Sequence, residues 1–334
     1  MTGNQLVRRL TAVLVVVWGA ATVVFIVLRV VPGSAVDQIS GLYGTAEQRV
    51  ETRRQLGLDH SIFYQYWLYL KGALRFDFGR SFYSGRPVTD ILVDTMPVTI
   101  ELAIAAGLIM LTWGILAGST AAVFRNTKVD VGLRGLAAVF FSIPWFFSGV
   151  LLLILFTSVW KVLPGFGRLP PTMTYEPTTH FVLLDAVIQG RPELVWPWLS
   201  HILLPAAAIG LTTGGYIARI TRASFLEVTS QDYIRTARSK GMTRRQLFRV
   251  HVSRNAALPI VAVAGLQVGA LLGGAVVAEV VFSYPGVGKL MVDAINRRDY
   301  PVVQGAAFVV AMCYVLVNVA TESSYPWLDP RLRR

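Results

Sequence analysis

Six stretches of this chain contain no Asp, Glu, Lys or Arg: Leu10–Leu28, Leu102–Phe124, Gly135–Trp160, Leu194–Ala218, Asn255–Ala278 and Tyr300–Thr321. Each is close to or above the roughly 20 apolar residues that a helix needs to cross a bilayer. In lipid a lone segment must satisfy its own backbone N–H and C=O groups, and at this length only a helix does so. The chain is therefore expected to be an all-α integral membrane protein with six transmembrane helices. Length alone would permit two soluble domains. Hydrophobic residues, however, make up 54% of the chain and charged residues only 15%, so residues 1–334 are expected to form a single transmembrane domain. The first stretch is too long for the apolar part of a signal peptide, and no small-residue cleavage site closes it, so it reads as an uncleaved span.

Charge sets the direction of insertion. The chain carries 31 Lys and Arg against 19 Asp and Glu, a net +12. With six spans, both termini share one side with the connections after the second and fourth spans. That side holds Arg8, Arg9, Arg125, Lys128, Arg134, Arg331, Arg333, Arg334 and nine further cations between Arg219 and Arg254. The whole net excess falls there, and the opposite side is balanced. Short cationic loops stay in the cytoplasm, so both termini and the 219–254 insert are expected to be cytoplasmic. The basic excess then reflects orientation in a lipid bilayer and calls for no nucleic acid. The single cysteine, Cys313, sits in an apolar run, and His201 has no second His or Cys at ligand spacing, so no metal site is expected.

The insert Arg219–Arg254 is the most informative polar stretch. Ser230 is a good N-cap, and Asp232 suits the positive end of a helix dipole. Tyr233, Ile234 and Ala237 fall on one face at helical spacing, while Arg235, Arg238 and Lys240 lie elsewhere. Gly241, followed by Met242, can take the left-handed conformation that ends a helix. Thr243 and Gln246 form a capping box that opens a second helix through Arg244 and Arg245. The segment is thus expected to be a helix–turn–helix bracket between two spans. Arg222, nearer the fourth span, is expected to matter much less than Gly241.

Tyr233-Ile234-Arg235-Thr236-Ala237-Arg238-Ser239-Lys240-Gly241, then His251 to Asn255 and Leu258-Pro259, resembles the cytoplasmic EAA loop of ABC-importer permeases. The form is that of the B-type membrane subunit of the dipeptide/oligopeptide/nickel family. Arg235 stands where the general motif has Glu, and Thr236 where it has the first Ala. Further resemblance lies in Leu56-Gly57-Leu58-Asp59, Asp77-Phe78-Gly79-Arg80-Ser81, Arg298 to Gly305, and the ending Leu328-Asp329-Pro330-Arg331. Ala320-Thr321-Glu322 departs from the family pattern. The resemblance implies a type I importer permease fold and half of a translocation pathway for peptides or similar small solutes. It also implies a second permease subunit in a heterodimer, two ATPase subunits that bind ATP and Mg, and an extracytoplasmic solute-binding protein. This chain itself is then expected to hold no cofactor and catalyse nothing. Tyr233, Arg235, Thr236, Ala237, Lys240, Gly241, Met242, Arg244 and Arg245 would be the residues that engage an ATPase.

Elsewhere the residues leave choices open. The outside segment 29–101 follows a Pro32-Gly33 break and has a polar helix expected within Glu47–Leu58. Its aromatic run from Ser61 to Phe78 suits either the outer headgroup layer with a small packed cap or contact with a docking binding protein or a peptide. Pro144 frees a backbone carbonyl in the third span and is expected to kink it, at a gate or merely for packing. The loop Lys161–Glu193, rich in Pro and Gly, is expected to be irregular. Gly265, Gly269 and Gly273 make two overlapping G-x-x-x-G steps for helix packing, within this chain or against a partner. Gln267 and Glu279 are candidates for a hydrated pathway, although a carboxylate at a span edge is also commonly interfacial. Pro285 to Leu290 invites a phosphate-loop reading that fails, because Ser283 replaces the first Gly and Leu290 the Ser or Thr after Lys289.

The alternatives are an ATP-independent secondary transporter, a membrane scaffold without transport and, within the family, nickel or glutathione as cargo. A secondary transporter calls for charged coupling residues at mid-span or an inverted repeat of broken helices, and the six stretches have neither.

Overall fold

A computed structural model describes residues 3–31, 33, 35–40 and 45–328. In chain order its α-helices are α1 (Gly3–Val30), α2 (Ala35–Ser40), α3 (Ala46–Gln55), α4 (Ile62–Ala73), α5 (Val88–Val123), α6 (Lys128–Ser142) and α7 (Trp145–Leu153). They continue as α8 (Val182–Ile188), α9 (Val195–Thr229), α10 (Asp232–Ser239), α11 (Arg244–Leu247), α12 (Ser253–Val281), α13 (Val287–Asn296) and α14 (Tyr300–Leu328). Among the described residues there is no strand, only an isolated antiparallel bridge between Arg80 and Pro87. Five helical stretches are long and apolar enough to cross a membrane, and there are six if the bent pair of α6 and α7 is counted as one span. Residues 329–331 of the expected C-terminal match lie outside the described residues.

The third span shows what proline does when its neighbour cooperates. Pro97, Pro205 and Pro259 sit inside α5, α9 and α12 without ending them. At Pro144 the preceding Ile143 is extended (φ −86°, ψ 127°), the conformation favoured before proline. The helix stops there, restarts at Trp145, and turns by 104°. The expected kink is a complete break. In the loop expected to be irregular, α8 and a 3₁₀ turn at Pro192–Leu194 supply regular structure. The polar helix expected within Glu47–Leu58 is α3, opened by a capping box between Thr45 and Gln48.

The helices fall into two compact units. One holds residues 1–99, 177–181 and 285–316. Here α4 lies along α1: the Thr22 and Tyr66 hydroxyls are 2.6 Å apart, and Phe25 meets the rings of Tyr66 and Tyr69. The turn before α5 is fastened to the start of α14, because the Asp299 carboxylate accepts from the Ser81 hydroxyl at 2.5 Å and the Phe82 amide at 3.0 Å. The outer face of α4, with Phe63 and Trp67, stays exposed.

The other unit holds residues 100–176, 182–284 and 317–334 and is built around α9. A Cβ at Gly210 would meet the Ala106 carbonyl at 2.7 Å, and one at Gly215 the Ala137 carbonyl at 2.6 Å. Only glycine lets α5 and α6 come this close. Ile202, Ile209 and Ile217 of α9 are fully buried, as are Leu102 and Met110 of α5 and Leu271 of α12.

Candidate functional site

The bracket begins where α9 ends. Ser230 closes that helix: its amide donates to the Leu226 and Glu227 carbonyls, and its hydroxyl donates to Glu227 O at 2.7 Å. Ser230 is therefore not the N-cap of α10 that its residue type suggests. Gln231 holds that position without a side-chain cap. The correction has a simple cause, since α9 runs eleven residues past the charge-free stretch that ends at Ala218, and its last carbonyls claim the serine.

The turn after α10 matches expectation closely. Gly241 has φ +88°, its amide donates to Arg238 O at 3.0 Å, and the Met242 amide donates to Ala237 O at 3.3 Å. Two such bonds closing a helix over a left-handed residue form a Schellman motif, with Met242 and Ala237 in the positions of its apolar contact. The capping box is also present. The Thr243 amide donates to Gln246 Oε1 at 2.9 Å, and the Gln246 amide donates to Thr243 Oγ1 at 3.3 Å. The second helix differs from expectation. α11 passes through a π-helical turn at Phe248–Val252 straight into α12, so it is the first part of a long span and not a free arm.

The bracket is mounted on an apolar core. Ile234, Leu247, Val252, Ala256 and Ile260 are buried together with Phe225 of α9, and Ala237, Met242 and Phe248 pack beside them. Of the expected apolar face, Ile234 and Ala237 turn inward, while Tyr233 stays exposed with its ring 6.2 Å from that of His251. Arg235 is 79% exposed and 3.7 Å from Asp232, itself 96% exposed; an ion pair this open contributes little. Thr236, Lys240 and Arg245 are exposed, and the side chain of Arg244 lies outside the described residues. A cleft of about 430 Å³ opens behind the bracket, with Ile234, Phe225 and Phe248 in its wall and Arg238 and Arg245 among its lining. The site is a buried apolar mount presenting exposed cations and one tyrosine.

The remaining candidates do not gather at one place. Pro144 is exposed at the break between α6 and α7. Gln267 is half-buried and Glu279 fully buried; twelve residues on one helix place them about 18 Å apart. Within this chain Glu279 is thus not an exposed interfacial carboxylate. The glycine pattern divides likewise. A Cβ at Gly265 would collide with Thr321 of α14, so this step packs within the chain. Gly269 is buried, whereas Gly273 is exposed with nothing within 4 Å of its would-be Cβ. The close contact one residue on belongs to Gly274, which lies against Trp145.

Two of the buried carboxylates that sequence reasoning did not single out organise their surroundings. Glu101, at the edge of the second charge-free stretch, accepts from Arg168 at 2.7 and 3.1 Å, the Val182 amide at 2.6 Å and Trp198 Nε1 at 3.0 Å. It ties the 161–193 loop to α5 and α9. Nearby, burial pushes the Tyr284 hydroxyl up from its ordinary value, and the Glu101 charge adds to the shift. Asp130 is fully buried and held by both arms of Arg222 at 2.8 Å, by Arg134 at 3.3 Å and by the Asn126 amide at 2.9 Å. Arg222 thus has a structural role in holding Asp130, a role that the sequence did not show. The only sequence signal was an isolated acid next to an apolar run.

Comparison with known proteins agrees with this architecture. The family "Binding-protein-dependent transport system inner membrane component" matches residues 114–334, and its N-terminal companion, "Binding-prot-dependent transport system membrane comp, N-term", matches residues 3–103. The dipeptide transport system permease protein DppB of Escherichia coli (strain K12) is 38% identical over 98% of both chains. The di/tripeptide transport system permease protein DppB of Pseudomonas aeruginosa is 37% identical over 98% of this chain and 97% of its own. In fold, a chain of the inward-facing MetNI methionine ABC transporter aligns with a TM-score of 0.52 at 16% identity, covering 72% of this chain and 96% of that one. The chain belongs to the family of binding-protein-dependent transport system inner membrane components, and is a multi-pass permease subunit of an ABC importer in the bacterial cytoplasmic membrane.

Proposed function

We propose that this permease forms half of a translocation pathway for short peptides, beside a second permease subunit. An extracytoplasmic binding protein delivers the cargo. Two cytoplasmic ATPase subunits bind ATP and Mg and do all the hydrolysis, so this chain has no enzymatic role. The named cargo of relatives similar over 98% of the chain supports the peptide assignment. The one-sided basic excess supports cytoplasmic termini and a cytoplasmic bracket. The exposed Gly273 face of α12 offers the backbone approach that a neighbouring subunit's helix would use.

The observation that carries the coupling role is the mount of α10. Its turn is closed by two backbone bonds, its next helix by a reciprocal cap, and its apolar side by a buried core. Tyr233, Arg235, Lys240 and Arg245 are left outward for an ATPase groove. Because α11 continues into α12, movement of the bracket moves a membrane helix. ATPase closure then selects between inward- and outward-open states through contacts that differ between them.

Gly241→Val tests this. The substitution places a branched side chain at φ +88°, a local cost of about 1–2 kcal/mol, with no neighbour to clash. The protein should insert and pack normally, yet retain several-fold less ATPase on co-purification or lose dipeptide uptake despite hydrolysis. Wild-type assembly and uptake in the same membranes would remove the coupling role from the bracket.

A further inference from the structure

α5 and α6 both lie against α9 but leave a furrow between them. The flanking contacts are tight: a Cβ at Gly118 would run into the Ala218 carbonyl, and one at Gly215 would meet the Ala137 carbonyl. Between them a cleft of about 440 Å³ remains, lined by alanines such as Ala117, Ala121 and Ala138. Three guanidinium groups also line it: Arg134, Arg219 and Arg222. The acid beside them is Asp130, whose two oxygens already receive Arg222, Arg134 and the Asn126 amide. Arg219 has no carboxylate within ion-pair distance among the described residues. It lies 5.2 Å from each of the Phe141 and Tyr216 ring centres, an exposed cation braced by aromatics. Three cations against one carboxylate leave a formal excess of two at the cleft.

The position along the helices matters as much as the charge. The charge-free stretches end at Ala218 on α9 and begin at Gly135 on α6. The guanidinium groups therefore stand where hydrocarbon gives way to headgroups, with alanine walls continuing into the apolar side. Such a cleft suits a ligand with one anionic group and a slender apolar body. We propose that it is a binding site for an anionic phospholipid, its phosphate on Arg219 and Arg134 and an acyl chain along the alanine wall. Basic pockets between membrane helices hold acidic headgroups in this way, and the planar fork of arginine matches phosphate oxygens. A zwitterionic peptide fits less well. Its ammonium group needs a free carboxylate, and Asp130 is closed off with its oxygens engaged. Inorganic phosphate would leave the alanine walls empty.

The test uses the full-length chain purified in a neutral detergent. It is incubated with equal amounts of phosphatidylglycerol and phosphatidylcholine of identical acyl chains, and native mass spectrometry counts retained lipid. Wild type should hold phosphatidylglycerol about five-fold more than phosphatidylcholine, the scale of one surface cation. Arg219→Gln should bring the two lipids level. Ala138→Phe, at an exposed position that fills the cleft without touching the Asp130 pairings, should lower phosphatidylglycerol retention while leaving the melting temperature unchanged. Glycerol 3-phosphate should not compete. Equal retention of both lipids by wild type, an undiminished preference in Arg219→Gln, or unchanged retention in Ala138→Phe would overturn the proposal. So would displacement by millimolar dialanine, which would place the cleft on the cargo route, or by glycerol 3-phosphate, which would make it a simple anion site.

Discussion

Glu101 and the Gly241 bracket are both polar features of a mostly apolar molecule, and they use polarity in opposite ways. At Glu101 every strong group turns inward: two guanidinium nitrogens, a backbone amide and an indole N–H converge on one carboxylate. Nothing is left over for another molecule. At the bracket the inward work is done by backbone turns and aliphatic side chains, and the cations face out with weak partners or none. Inward polarity of the first kind fixes a loop and is expensive to disturb. Outward polarity of the second kind adds little to folding and is free to recognise a partner. Mutations should therefore separate the two regions by what they damage.

Glu101→Ala should have the largest effect. It leaves Arg168 buried beside an unpaired indole and amide, and breaking such a pair costs about 3–5 kcal/mol. The expected outcome is a large fall in melting temperature of the detergent-solubilised protein, read by fluorescence-detected size exclusion. A wild-type melting curve would erase the contrast between the regions. Arg222→Ala should come next, with a clear but smaller fall, because Arg134 and the Asn126 amide remain on Asp130. Gly241→Asn sharpens the comparison from the other side. Asn tolerates the left-handed region, so it should keep ATPase association near wild type where Gly241→Val loses it. Equal loss in both variants would mean that the glycine acts through space and not through its backbone angle. The smallest stability effect belongs to Arg235→Ala, which should change the melting temperature little, since its partner is almost fully solvated. Its signature should instead be a weaker, more salt-sensitive hold on the ATPase.

The membrane helices, a disturbance at Pro144 and the Gly241 turn were legible because each depends on local chemistry. Long charge-free runs, a ring with no N–H and a residue without Cβ act through their immediate neighbours. The thread of Glu101 through Arg168, Val182 and Trp198 was not legible, because its partners are distant in sequence and none carries a spacing signal. Ser230 failed for a related reason: its type suits a cap, but which helix it caps depends on where α9 stops. Gly273 and Gly274 show the limit of motif reading most finely. The pattern selected the first, and packing within this chain uses the second, one residue and about 100° further round, leaving Gly273 facing outward.

The π-helical turn at Phe248–Val252 has a consequence for anyone exchanging this bracket with a relative's. A π turn accommodates one residue more than an α turn would within the same hydrogen-bonded frame. The count between Arg244 and Ser253 therefore sets the angular phase of the bracket relative to α12. A graft that omits the extra residue and returns to plain α winding keeps that phase, whereas one that keeps every residue but winds them all as α-helix would swing Tyr233 and Arg235 about 100° around the axis. Every local contact within the graft would survive, yet the docking face would point the wrong way. Chimeric importers should be spliced in phase here, as a gear is cut to its mating wheel.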